Sequence, residues 1–161
     1  MKEPTVAIIL DAALHLDRTK FIGWLSEYGF IAQPISTKCA FVGKTCVVKF
    51  DVTTSLTKES PTYYEYMNRR RVQKWKRRWF ARTLGWANGV LVQERAMATH
   101  SPCRTGPCCV EAEHLARRLR ILDWYNHGRR ADGSIVFFDF DSFGSGWWNY
   151  HKAKRGTRNG H

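Results

Sequence analysis

Between Asn68 and Arg82 the chain carries eight lysines and arginines and no acid. Such a run cannot be buried without partners, so it has to lie on the surface and the rest of the fold has to accommodate it. Ser60-Pro61 places a hydroxyl at an N-cap and proline at the first helical position, which predicts one long helix from there to Gly85. On that helix Tyr64, Asn68, Val72, Trp75 and Trp79 share a stripe, and Arg70, Arg71, Lys74, Arg77 and Arg78 gather on the opposite side. Like charges one turn apart cost an isolated helix about 0.2–0.5 kcal/mol per pair. Phosphates on that face would remove the cost. Arginine outnumbers lysine, which suits bidentate phosphate contact. A merely solvated face is the plainer reading, but no glutamate alternates with the bases as such a face usually shows.

Over the 161 residues, Lys+Arg 26 against Asp+Glu 14 gives a net charge of +12. That balance suits a polyanionic partner. With 43% apolar and 14% aromatic residues the chain can bury a core, and disorder throughout is excluded. No apolar run approaches the roughly 20 residues of a membrane helix, and the start lacks a secretory layout. The expectation is a soluble, intracellular protein with no membrane partner. Five cysteines, an odd number, suggest reduced thiols or metal ligands rather than a disulfide framework.

The apolar, β-branched run Thr5–Leu10 predicts a buried central strand ended by Asp11. Asp17–Tyr28 reads as a helix stopped at Gly29, and Phe30–Ile35 and Thr45–Val52 as strands joined through a loop at Lys38–Lys44. Val90–Gln93 follows an Asn88-Gly89 turn, Val110–Leu122 is helical, and Asp132-Gly133 leads into a strand over Ser134–Phe140. Alternating strands and helices predict a single α/β domain over residues 1–143, three-layered with a central, mostly parallel sheet. The alternative is a ferredoxin-like βαββαβ core over residues 5–93 with a C-terminal extension. Residues 144–161 form a basic, aromatic tail in which Trp148 and Lys152 are candidates for stacking a base and holding a phosphate.

The acids are few. Asp11 closes the first apolar run, Glu111 begins a helix, and Asp139 and Asp141 alternate with Phe138 and Phe140. Acids gathered at a sheet's carboxyl edge would need a divalent cation, and oxygen ligands suit Mg²⁺ or Mn²⁺. An Asp-x-Asp at an exposed hairpin is the plainer reading. In order and spacing, TVAIILDAAL, CVEAEHLARRL and DGSIVFFDFDSF resemble the NYN branch of the PIN-like nucleases over roughly residues 5–143. The likeness implies a PIN-like fold and a metal-dependent ribonuclease with Asp11, Glu111, Asp139 and Asp141 as the metal-binding acids. The chain departs from the family in having Leu14 or His15 where an asparagine is usual, and Phe137-Phe138 where Ser-Gly precedes the acidic pair.

A second candidate site is His100, Cys103, Cys108, Cys109 and His114, whose spacing approaches that of a zinc knuckle with Pro102, Gly106 and Pro107 turning the loop. Its plainer reading is a surface loop with reduced thiols. Cys108 or Cys109 as a helix-terminal nucleophile has no oxyanion-hole pattern beside it, and no phosphate-binding glycine loop precedes a helix. Two functions therefore remain in view. One is a divalent-metal endoribonuclease; the other is a non-catalytic protein, viral or phage in setting, that binds RNA or single-stranded DNA and carries structural Zn²⁺.

Overall fold

A computed structural model describes residues 2–34, 38–51, 62–63, 65–67, 74–97, 107–119 and 127–138. The chain opens with two helices, α1 (Val6–His15) and α2 (Arg18–Glu27). Three strands follow, β1 (Ile31–Pro34), β2 (Lys38–Val42) and β3 (Cys46–Asp51), and then a 3₁₀ helix (Lys74–Trp79). After β4 (Thr83–Ala87) and β5 (Val90–Glu94) come α3 (Pro107–Leu119) and a hairpin of β6 (His127–Arg129) and β7 (Ile135–Phe137).

The main sheet has five strands in the order β1-β2-β3-β5-β4, and every pairing in it is antiparallel. This overturns the central, mostly parallel sheet and with it the PIN-like architecture; the ferredoxin-like alternative, whose sheet would also be antiparallel, fails because its first strand is a helix. The decisive difference is the first element. Thr5 caps α1, its side chain accepting from Ile8 N, and Ile9 and Ala13 are buried with Val6, Leu10 and Leu16 packed beside them. That spacing is helical, and Ala7, Ala12, Ala13 and Leu14 favour it. Ile8 and Leu14 face solvent, so the unbroken apolar run does not mark a strand buried on both sides. The loop expected at Lys38–Lys44 is largely β2, and the turn lies at residues 43–45.

Gly85, expected to stop a long helix, instead sits in β4, where a Cβ would run into Leu10 and Val6 of α1. It lets the helix lie close against the strand. The Asn88-Gly89 turn forms as expected, with φ of 46° and 74°, and Asn88 Nδ2 donates to Ala13 O at 2.8 Å. The helix over Asp17–Tyr28 also forms, Asp17 accepting from Lys20 N at 2.9 Å.

Alternation on β3 sends Cys46, Val48 and Phe50 into a core with α1 and α2, where Phe50 stacks on Phe41 and meets Phe21 edge-on. Full burial of each such side chain is worth about 1.5–3 kcal/mol. Lys49 and Asp51 point to the other face. There Lys49 pairs with Glu65 at 2.7 Å, Asp51 accepts from Thr62 N and Oγ1, and Trp86 stacks on Tyr66. Residues 62–63 and 65–67 are helical, as expected.

A second apolar cluster joins Phe80, Ala112, Ala116, Leu119, Ile135 and Phe137, with Trp79 and Leu115 against it. Here β7 belongs to a two-stranded sheet and not to the centre of the main one. The hairpin is fastened at both ends, through Ala81 N to Phe137 O at 2.9 Å and through the paired backbones of Met97 and Arg129. Its position beside the 3₁₀ helix creates the groove described next.

Candidate nucleic-acid interface

Residues 74–79, expected as regular α-helix, are wound as a 3₁₀ helix. At about three residues per turn, Lys76 and Trp79 lie over one another, as do Trp75 and Arg78. The expected shared stripe of Trp75 and Trp79 therefore does not hold. Trp79 packs against the second apolar cluster, whereas Trp75 is 60% exposed. The guanidinium of Arg78 lies 4.7 Å from the centre of the Trp79 ring, and Lys76 Nζ 5.1 Å from that of Trp75. Both are cation–π distances.

Between this helix and the β6–β7 hairpin runs an open groove of about 730 Å³ lined by Arg77, Arg78, Trp79, Arg82, Arg130, Asp132 and Ser134. Four arginines thus meet at one concavity. Their roles differ. Arg130 donates Nε and Nη2 to Glu94 Oε1, Nη1 to Arg78 O at 2.8 Å and Nη2 to Phe80 O at 3.1 Å. Its donors are spent on holding the hairpin against the 3₁₀ helix. Arg82 donates Nε to Glu94 Oε2 at 2.8 Å, yet its side chain is 70% exposed. Arg78 is exposed along the groove.

Glu94 is the hub. Burial pushes its pKa upward, but hydrogen bonds from Arg130 and from the Arg82 backbone and side chain more than reverse this, and the carboxyl is held below its ordinary value. It stays ionised and aligns two guanidinium groups. At the mouth, Asp132 Oδ1 accepts from Ser134 N at 2.9 Å and from Ser134 Oγ at 2.6 Å. Those two bonds, the side-chain one foremost, lower its pKa as well. Four arginines against Glu94 and Asp132 leave the groove cationic.

Of the expected phosphate contacts, Arg77 and Arg78 line the groove; Lys74 is exposed on the same 3₁₀ helix. Arg70, Arg71, Trp148 and Lys152 lie outside the described residues. Arg82 belongs to the same acid-free run, though helical periodicity does not single it out. The sequence marks Asp132 as a turn residue but gives neither it nor Arg130 a place in this site, because long-range contacts such as the Phe80–Phe137 bridge bring the hairpin to this helix.

The acids proposed for a metal are not brought together as far as they are described. Asp11 is exposed on α1 and paired with His15 one turn on, at 3.4 Å. Glu111 is on α3 and pairs with Arg129. The two helices belong to different apolar clusters. Asp139 and Asp141 lie outside the described residues. Of the zinc candidates, His100 and Cys103 lie outside them too, and Cys108 is in the first turn of α3. Cys109 is buried and His114 exposed, as expected of positions about 140° apart on a helix, so these two do not share a face. Among the described residues no group of three His, Cys, Asp or Glu side chains could hold a metal ion. Nor, among them, is any helix long and apolar enough to cross a membrane.

Comparison with family models, curated proteins and solved structures finds no match to this chain. The functional reading therefore rests on the groove itself.

Proposed function

We propose that the protein binds single-stranded nucleic acid in the groove between the 3₁₀ helix and the β6–β7 hairpin. The observation that carries this is the juxtaposition of exposed Arg78 and Arg82 with Trp79 in a concavity whose positive charge Glu94 and Asp132 only partly offset. Arginines hold the phosphates, and the exposed guanidinium plane of Arg78, backed by the Trp79 ring, offers a surface on which an unpaired base stacks. A duplex already stacks its bases internally and gains only the phosphate contacts. Binding alone accounts for this chemistry; the metal-dependent ribonuclease stays a separate reading whose acidic pair, Asp139 and Asp141, lies outside the described residues.

The test is fluorescence anisotropy with labelled RNA and DNA strands, single and double, over a salt series, with Mg²⁺ or Mn²⁺ and with chelator. Binding should weaken steeply with salt. Arg78→Ala with Arg82→Ala should reduce the slope of log affinity against log salt by about 1.4, at about 0.7 for each phosphate left without its arginine. An unchanged slope would remove the groove from the interface, and no affinity at low salt would remove the function. Shortening of the strand in metal but not in chelator would return the nuclease reading.

A further inference from the structure

The carboxylate in the groove is out of place in a site that holds phosphates alone, since it repels them. Asp132 lines the same concavity as Arg77, Arg78 and Arg82. The hairpin turn needs an oxygen at this position to accept from Ser134; the charge adds an attraction to Arg130 that ranks below both of those bonds. Both hydrogen bonds fall on Oδ1, and an asparagine oxygen would accept them equally. The second oxygen, Oδ2, is an acceptor to which none of these turn bonds is made. Its best partner in a nucleic acid is a base amino group, because a carboxylate accepts from N–H and repels carbonyl oxygens.

We propose that Asp132 reads the exocyclic amino group of an unpaired base, so that the groove favours cytosine-bearing single strands over uracil-bearing ones. This rests on the nucleic-acid reading above. Cytosine presents an N4 amino donor where uracil presents the O4 acceptor, and the two bases are otherwise of one size. In a duplex that edge is engaged in pairing, so the contact also selects single strands. The arginines supply affinity that is blind to sequence, and Asp132 adds the discrimination.

The experiment measures binding of labelled oligocytidine and oligouridine of equal length to the full chain, wild type and Asp132→Asn, at neutral pH. The wild type should prefer oligocytidine by about tenfold, the usual scale of one charged hydrogen bond. Asp132→Asn keeps the turn and replaces an acceptor with a donor. It should abolish or reverse the preference while tightening oligouridine, from which a repelling charge has gone. Equal wild-type affinities, or a preference that survives in Asp132→Asn, would overturn the assignment while the groove remained a nucleic-acid site. Failure of the wild type to bind either strand at low salt would remove both. A thermal melt of Asp132→Asn matching the wild type shows that the comparison is between folded proteins.

Discussion

Arg130 on the hairpin and Glu94 on β5 meet through two nitrogens on a single oxygen, Nε at 3.1 Å and Nη2 at 2.5 Å. Glu94 is only 9% exposed, and its other oxygen takes Arg82. The pair therefore couples the second apolar cluster to the main sheet and shapes the groove at the same time. Glu94→Gln removes the charge that satisfies both guanidinium groups. It should cost about 2 kcal/mol, or about 4–8 °C in melting temperature for a chain of this size. Arg130→Ala should cost a similar amount, and the double variant less than the sum, because both remove one interaction. Additive melts would show that the contact is incidental.

The N-terminal segment is anchored by one carboxylate. Glu3 accepts from the backbone N–H groups of Lys44 and Thr45 and from Thr45 Oγ1 at 2.6 Å, filling the β2–β3 turn. Burial raises its pKa, but these bonds from Thr45 and Lys44 outweigh it and leave the group below its ordinary value of 4.5. A depressed folded pKa contributes stability that is present above the unfolded value and lost as pH falls through the folded one. Acid titration of stability should therefore show a loss beginning near pH 4.5 and continuing below it. In Glu3→Gln that component should be missing, with a uniform loss of about 1 kcal/mol at neutral pH. Glu94 titrates in the same direction, so the comparison has to be made against Glu94→Gln as well.

What is legible in the sequence is local. Asp17 as a cap, the stop at Gly29, the Asn88-Gly89 turn, the helix carrying Glu111 and the turn at Asp132-Gly133 each depend on a few neighbouring residues, and each forms. Sequence and structure part where partners distant along the chain decide. Val6–Leu10 is apolar enough to be a strand, and only the sheet face under Gly85 shows that its inner residues recur at helical spacing. In the described part of the basic run Lys74, Arg78 and Arg82 are exposed, as their charge requires, but residues 74–79 are wound as 3₁₀ and the companion Arg130 arrives from 52 residues away. β7 falls within the strand expected over Ser134–Phe140, whereas β6, with three residues, carries too little alternation to announce itself.

The buried pair of Lys49 and Glu65 fixes the helical residues 65–67 to the underside of the sheet, with side chains 7% and 0% exposed. Lys49→Met removes the buried cation 2.7 Å from the Glu65 carboxylate and should cost about 3–5 kcal/mol. Lys49→Met with Glu65→Leu replaces both charges by apolar groups and should recover most of that loss. Urea denaturation of the three proteins decides it. A double variant as unstable as the single one would mean that the ion pair supplies more than mutual neutralisation, through the adjoining Asp51–Thr62 bonds.

Cys46 tests the Glu3 anchor from the other side. Its thiol is pushed up to about 12, first by burial and then by the nearby negative charge and hydrogen bonding of Glu3. Only the thiolate alkylates, so at pH 8 Cys46 is held almost wholly as the unreactive thiol, and its side chain is closed to reagents besides. Iodoacetamide applied to the native protein should label half-buried Cys39 well before Cys46, read by mass spectrometry of the separated peptides. In Glu3→Gln the repelling charge is gone and the N-terminal segment is less firmly held, so Cys46 should label several-fold faster while Cys39 keeps its rate. Unaltered Cys46 labelling would mean that burial alone protects the thiol and that Glu3 orders only the turn.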